Sequence, residues 1–265
     1  MKKIRISDVT MKQDAKALSL SFREKIELSK LLDALGADLI ELEGIDNSRS
    51  DALRIKSIAA AVKDSILSVP VKLEEENILQ VWEALKTAKK PRLQVCAAVS
   101  SVQMEYLYHK KADGMLAAVV DAVKLCRSLC QDVEFVADDA TRADPEFLQA
   151  IITAAVEAGA STVTVCDTAG TMLPEEFGQF VAKLQVGGAT LGVSCCNTLS
   201  LADACAGAAR RQGAGALKAA AYPLGSASLA NIARILAARK DDLDADCGIR
   251  VAQLSRIAEQ IAWML

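Results

Sequence analysis

The sequence predicts an α/β fold, a closed barrel of eight parallel strands each followed by a helix. Three observations carry this expectation. Short apolar runs alternate with helical stretches eight times along 265 residues. The connections are short and the composition does not change along the chain. The length also suits a single barrel, which commonly takes about 250 residues. An open doubly wound sheet is the competing arrangement, and the lack of a glycine-rich phosphate fingerprint weighs against it.

The elements follow in order. Ile4-Arg5-Ile6 alternates as a short strand. Ser21 and Glu24 form an S-x-x-E capping box at the head of a helix that carries Ile26, Leu28, Leu31, Leu32 and Leu35 and ends at Gly36. Residues 39–42 are the second strand, 50–62 the second helix, and 65–69 a third strand stopped by Pro70. A helix over 75–88, a strand over 93–99, one longer helix reaching Cys130 and a strand over 133–136 come next. Asp144 and Pro145 open the fifth barrel helix as N-cap and first-turn residue, and Gly159 closes it. The sixth strand covers 162–166, and Pro174-Glu175-Glu176 opens the helix after it. Strands over 191–195 and 216–221 alternate with helices over 199–211 and 229–239. One further amphipathic helix covers 251–265, placed either to cover the barrel or, through Trp263, to meet a second chain. Residues 1–240 are therefore read as the barrel and 241–265 as a C-terminal helical extension.

Hydrophobic residues make up 52% of the chain and aromatic residues 4%, so the core must be mainly Ala, Leu, Val and Ile. A chain of this length buries roughly three quarters of its unfolded surface and needs no staple. Thirty-one basic against 34 acidic residues argue against nucleic acid as the main partner. There is no signal-peptide pattern and no apolar run of membrane-spanning length. The eight cysteines mostly fall inside strand-like or helix-like apolar patterns, which reads as free thiols in a cytoplasmic protein. Cys126 and Cys130 share a helix face, a spacing that suits core packing. His109 is the single histidine and is expected on a surface helix.

Several separated segments resemble one enzyme family. Residues 133–144, Val-Glu-Phe-Val-Ala-Asp-Asp-Ala-Thr-Arg-Ala-Asp, are similar to the "VEFSPEDATRTD" stretch of 2-isopropylmalate, homocitrate and citramalate synthases. Residues 158–160, 166–170 and 174–176 resemble that family's "EAGA…PDTVGY…PEE", residues 100–106 its "SDIHMEY" and residues 36–41 its "GVDxIE". The group includes hydroxymethylglutaryl-CoA lyase. The resemblance implies a TIM barrel with its site at the C-terminal ends of the strands. It also implies a divalent metal that acts as a Lewis acid on a 2-oxo acid, with acetyl-CoA as co-substrate. Typical members carry a further C-terminal region used for dimerisation and regulation.

The chain departs from the family pattern at the chemistry. The family's "DTTLRDGEQ" corresponds to Asp8-Val9-Thr10-Met11-Lys12-Gln13-Asp14-Ala15-Lys16, so Lys12 stands for the enolate-stabilising Arg and Gln13 for a metal-binding Asp. Lys keeps the charge but loses the bidentate fork. The family's "HCHND" corresponds to residues 194–198, which puts Ser194 and Cys196 at the two histidine positions. Asp138 replaces the acid/base Glu, and "GIGERAGN" corresponds to residues 222–229, whose sequence differs throughout. By this carry-over Lys12, Asp138 and Thr168 stand at catalytic positions. Asp8, Glu41, Ser100 and Asn197 stand at substrate-binding ones. No bound metal or cofactor is expected.

Other chemistry is conceivable at the same mouth. Lys12 could form a Schiff base only with a depressed pKa, which its acidic neighbours oppose. Cys196 would need a base. Lys218 is expected in a surface or interlayer role rather than pointing inward. Asp139, Thr141, Arg142 and Asp144 fit a structural role in capping and tying loops. Three readings stay open: a relative that still binds a 2-oxo acid or CoA thioester, a non-catalytic barrel acting as subunit or regulator in a homo- or hetero-oligomer, and a metal-free enzyme of changed chemistry.

Overall fold

The computed structural model describes residues 1–13, 20–46 and 48–264; the resemblance at residues 14–16 and the end of the last helix at Leu265 lie outside them. Eight strands run parallel: β1 (Lys2–Asp8), β2 (Leu39–Glu41), β3 (Ile66–Val71), β4 (Pro91–Ala98), β5 (Val133–Asp138), β6 (Thr162–Asp167), β7 (Thr190–Cys195) and β8 (Ala216–Ala219). Each pairs with the next, and β1 pairs with both β2 and β8, which closes the barrel. The expected TIM barrel is therefore the observed fold. The helices around it are α1 (Phe22–Leu35), α2 (Ser48–Ala61), α3 (Glu75–Leu85), α4 (Ser101–Tyr108), α5 (Ala112–Leu129), α6 (Pro145–Ala158), α7 (Pro174–Ala182), α8 (Ala202–Arg211) and α9 (Leu229–Ala238).

Strand alternation divides the core in two. Leu67 and Val69, Leu93 and Val95, Val133 and Phe135, and Val163 and Val165 are buried at alternate positions facing the helices. The intervening Ser68, Gln94, Glu134 and Thr164 are equally buried and line the barrel axis, where Gln94 and Thr164 both bond Glu134. The apolar seal thus lies between strands and helices, and the axis is polar.

Local signals behave as the sequence reads. Ser21 and Glu24 form the reciprocal capping box, Asp144 accepts from the Phe147 amide with Pro145 in the first turn, and Gly159 ends α6 in the left-handed region. Gly36 ends α1 with φ +90°, and a Cβ there would lie 2.4 Å from the Gly248 carbonyl oxygen. Both the backbone conformation and the space require glycine. Gly36→Ala is expected to cost at least about 2 kcal/mol of unfolding free energy, measured by urea denaturation.

Three expectations change. Pro70 does not stop the third strand, which runs to Val71. Pairing with β2 ends at Glu41↔Ser68, so the missing Pro70 amide breaks no ladder bond on that side. The long helix before Cys130 is two helices, because His109 adopts φ +50° and its amide and that of Lys110 close α4 onto Glu105 and Met104. His109 is the exposed residue that ends α4 rather than a residue within a helix. Beyond the barrel, α10 (Lys240–Leu243) leads to β9 (Ala245–Cys247), a strand not anticipated, which pairs in parallel with Lys2–Ile4 of β1. The last helix, α11 (Leu254–Met264), buries Leu254, Ile257 and Ile261 against α1 and α9 and leaves Trp263 90% exposed.

Candidate functional site

The axis of the barrel holds a network of opposite charges. Glu41 on β2 and Glu134 on β5 are bridged by Lys218 of β8, whose ammonium lies 2.7 Å from Glu41 Oε1 and 3.0 Å from Glu134 Oε1. Both contacts are ion pairs between almost fully buried groups. Ser7 donates to Glu41 Oε1 at 2.7 Å, and Lys12 reaches Glu41 Oε2 at 3.2 Å and Gln94 Oε1 at 3.0 Å. Below them Arg92 pairs with Asp132 at 3.0 Å and approaches Glu134 at 3.6 Å. Lys218 is therefore an inward, buried residue, against the expectation of a surface or interlayer role. The reason is electrostatic. Two carboxylates buried on the axis demand a cation, and β8 supplies it at the matching level.

The charges set one another's protonation. Burial alone would raise Glu41, but Lys218 and Lys12 hold its carboxyl well below the usual range. Burial alone would lower Lys12, but Cys96, Glu41, Asp138 and Glu134 outweigh it and hold the ammonium above its ordinary value. Lys12 thus stays protonated at neutral pH, which disfavours Schiff-base chemistry. Asp138, at the end of β5, is raised chiefly by burial. Burial pushes the Cys96 thiol up to about 11 and the Tyr108 hydroxyl up to about 12. Those two groups border a cavity of about 480 Å³ at the ends of β2, β3 and β4, lined by apolar Ile45, Pro70 and Leu73 and by charged Asp46, Lys72 and Glu74.

Of the positions that the resemblance assigns to metal and substrate, Asp8 and Gln13 are otherwise engaged. The carboxylate of Asp8 accepts from the amides of Thr10 and Ala221 and from the Thr10 hydroxyl, joining β1 to the loop after β8. The Gln13 amide donates to the Tyr222 carbonyl at 2.8 Å and accepts from the Leu224 amide at 2.8 Å. Ser194 and Cys196 are both half-buried. Burial raises the Cys196 thiol, and its amide donates to the Asp167 carbonyl. A neutral amide already bonded, a hydroxyl and a protonated thiol do not make up a divalent-metal donor set. Among the described residues no three His, Cys, Asp or Glu side chains are grouped to hold an ion.

The remaining predicted site residues fall into a hydrogen-bonded belt around the mouth. Ser100 caps α4 and donates to Asp139. The Asp139 amide donates to Thr168 Oγ1 at 2.9 Å, with Asp139 at φ +60°, and Arg142 pairs with its carboxylate. Thr141 donates to Asp167, which also accepts from the Gly170 amide. Asn197 accepts from the Ala202 amide at the start of α8, and its own amide donates to the Gly225 carbonyl. Lys12, Glu41 and Asp138 are thus together on the axis, while Ser100, Thr168 and Asn197 tie loops at the rim. Sequence reasoning missed Gln94, Glu134 and the inward Lys218. The signal was present in Leu-Gln-Val-Cys and Val-Glu-Phe-Val, where a polar residue interrupts each strand at the inward period.

The HMGL-like family model matches residues 3–261. The chain is 32% identical over 273 residues to a 2-isopropylmalate synthase of Carboxydothermus hydrogenoformans, covering 99% of this chain and 54% of that protein. A 2-isopropylmalate synthase of Nitratidesulfovibrio vulgaris is 33% identical, covering 95% and 51%. The chain thus spans about half the length of the curated relatives it matches. Among solved structures, hydroxymethylglutaryl-CoA lyase of Pseudomonas aeruginosa superposes with a TM-score of 0.81 at 16% identity, over 99% of this chain and 93% of that one. The carboxyl transferase domain of Rhizobium etli pyruvate carboxylase gives 0.71 at 17% identity, over 98% and 46%. These structures share the fold; the family model and the sequence identity over nearly the whole chain carry the assignment, and the chain belongs to the HMGL-like family.

Proposed function

We propose that this chain keeps the barrel of 2-isopropylmalate synthase-like proteins without their metal-dependent condensation of acetyl-CoA with a 2-oxo acid, and that it serves as a non-catalytic subunit or regulator. The observation that carries the reading is Gln13. It stands where the resemblance places a metal-binding Asp, and its amide is bonded to the backbone of residues 222–224. The charge network of Lys12, Glu41, Lys218 and Glu134 supports the same reading, because the carboxylates of Glu41 and Glu134 are already paired with cations of the chain. The cavity bordered by Cys96 has the volume to hold a small molecule the size of a 2-oxo acid, and Lys72 among its lining residues supplies a cation. Eight free thiols suit a reducing cytoplasm. An exposed Trp263 suits assembly with a second chain.

The test is CoA release from acetyl-CoA with a panel of 2-oxo acids, with and without added divalent metal, read by chromatography rather than a thiol dye. No release and no stoichiometric zinc, manganese or magnesium in the purified protein are expected. Metal-dependent turnover would overturn the reading.

A further inference from the structure

We infer that Gln13 is a latch that fastens the loop after β8 to the turn that follows β1, occupying with a neutral amide the place that the resemblance gives to a metal-binding carboxylate. The functional meaning of the latch rests on the proposed loss of metal chemistry, whereas the latch itself rests on hydrogen bonds alone.

A primary amide offers two N–H donors and two oxygen lone pairs. At Gln13 all four are met. Nε2 donates to the Tyr222 carbonyl at 2.8 Å and the Thr10 carbonyl at 3.4 Å. Oε1 accepts from the Leu224 amide at 2.8 Å and the Ser226 hydroxyl at 3.2 Å. Two carbonyls on one side and two donors on the other fix which way the amide faces. They also discriminate against a carboxylate, which would set a negative oxygen against the Tyr222 and Thr10 carbonyls. The position is therefore rebuilt around an amide rather than merely emptied of a ligand.

The fastening extends beyond the loop itself. Gly225, between the two Oε1 donors, accepts from the Asn197 amide at 2.8 Å, and Ser226 bridges to Cys196. Asn197 in turn starts α8 through the Ala202 amide at 3.0 Å. One side chain on the segment after β1 thus holds the loop that is bonded to the β7 rim, where the resemblance puts the two histidines. Gln13 joins the turn after β1 to the loop after β8 and, through that loop, to the end of β7.

The test is residue-resolved amide hydrogen exchange on the whole protein and on Gln13→Ala and Gln13→Glu. In the unaltered protein the Leu224 amide should be protected although Leu224 itself is 44% exposed. Gln13→Ala should speed its exchange at least about fivefold, as loss of one net hydrogen bond implies. The Ala221 amide, held by Asp8 and Thr10, should be unchanged and serves as the internal reference. Gln13→Glu should not restore protection at neutral pH, because the carboxylate faces two carbonyls. An unprotected Leu224 amide in the unaltered protein, or no change in Gln13→Ala, overturns the latch. Zinc titration separates this from the parent reading. Equimolar zinc bound by the unaltered protein and lost in Gln13→Ala would make Gln13 a ligand and overturn both, whereas zinc bound independently of Gln13 would overturn only the loss of metal chemistry.

Discussion

Lys218→Met is expected to lower the unfolding free energy by about 3–5 kcal/mol. The substitution keeps most of the side-chain volume, so the loss reports charge rather than a cavity. Lys218 lies 2.7 Å from Glu41 and 3.0 Å from Glu134, both of which are almost wholly inaccessible to water. Without it, Glu41 retains Lys12 and Ser7, and Glu134 retains Gln94, Thr164 and the more distant Arg92. These partners compensate part of each charge, which favours the lower end of the range. The measurement is urea unfolding of Lys218→Met, Glu134→Gln and the double variant. The double variant should be more stable than the sum of the single losses predicts, since removing both charges leaves neither stranded. A loss below about 1 kcal/mol for Lys218→Met would show that the axis does not depend on this cation.

Asp8 is expected to make stability fall as pH rises between about 4 and 6. Its carboxyl is fully buried, and that burial pushes its pKa up to about 6 from 3.8, against the opposing hydrogen bonds from Thr10 and Ala221. In that window the folded chain holds a proton that the unfolded chain has released, so the slope of stability with pH is negative. The contribution, once Asp8 is ionised in both states, is a loss of about 3 kcal/mol. Glu41 acts in the opposite sense. Its pKa is held low, so the stability it provides is present above its ordinary value and is lost on acidification below it. The two effects are separated by comparing the parent with Asp8→Asn across pH 4–7. The parent should lose about 3 kcal/mol relative to the variant over that range. A pH-independent difference would show that Asp8 is not the titrating group.

The barrel was legible because its signals are local. Capping at Ser21 and Asp144, left-handed glycines at Gly36 and Gly159, and apolar runs at period two each act over a few residues. Where local signals misled, a non-local partner decided. Pro70 continues its strand because β2 has already ended beside it, and β9 forms because β1 offers Lys2–Ile4 as an edge. At the site, the sequence shows the residue types at the positions that the resemblance assigns to metal ligands, but not what those residues bond. Gln13 reads as a poor ligand in sequence and as a four-way hydrogen-bonded tie in the fold.

The sequence by itself determined the barrel and the family, since these depend on periodicity and on residue identity, and it shows Gln13, Ser194 and Cys196 at the positions that the resemblance assigns to metal ligands. Only the tertiary structure decided that Lys218 points inward, that Glu41 and Glu134 share it, and that Gln13 bonds a loop 209 residues away. The physical reason is that burial, pairing and protonation belong to sets of residues brought together by barrel closure. A strand of four residues such as β8 carries too little pattern to state which face its one lysine takes until the opposing carboxylates are in place.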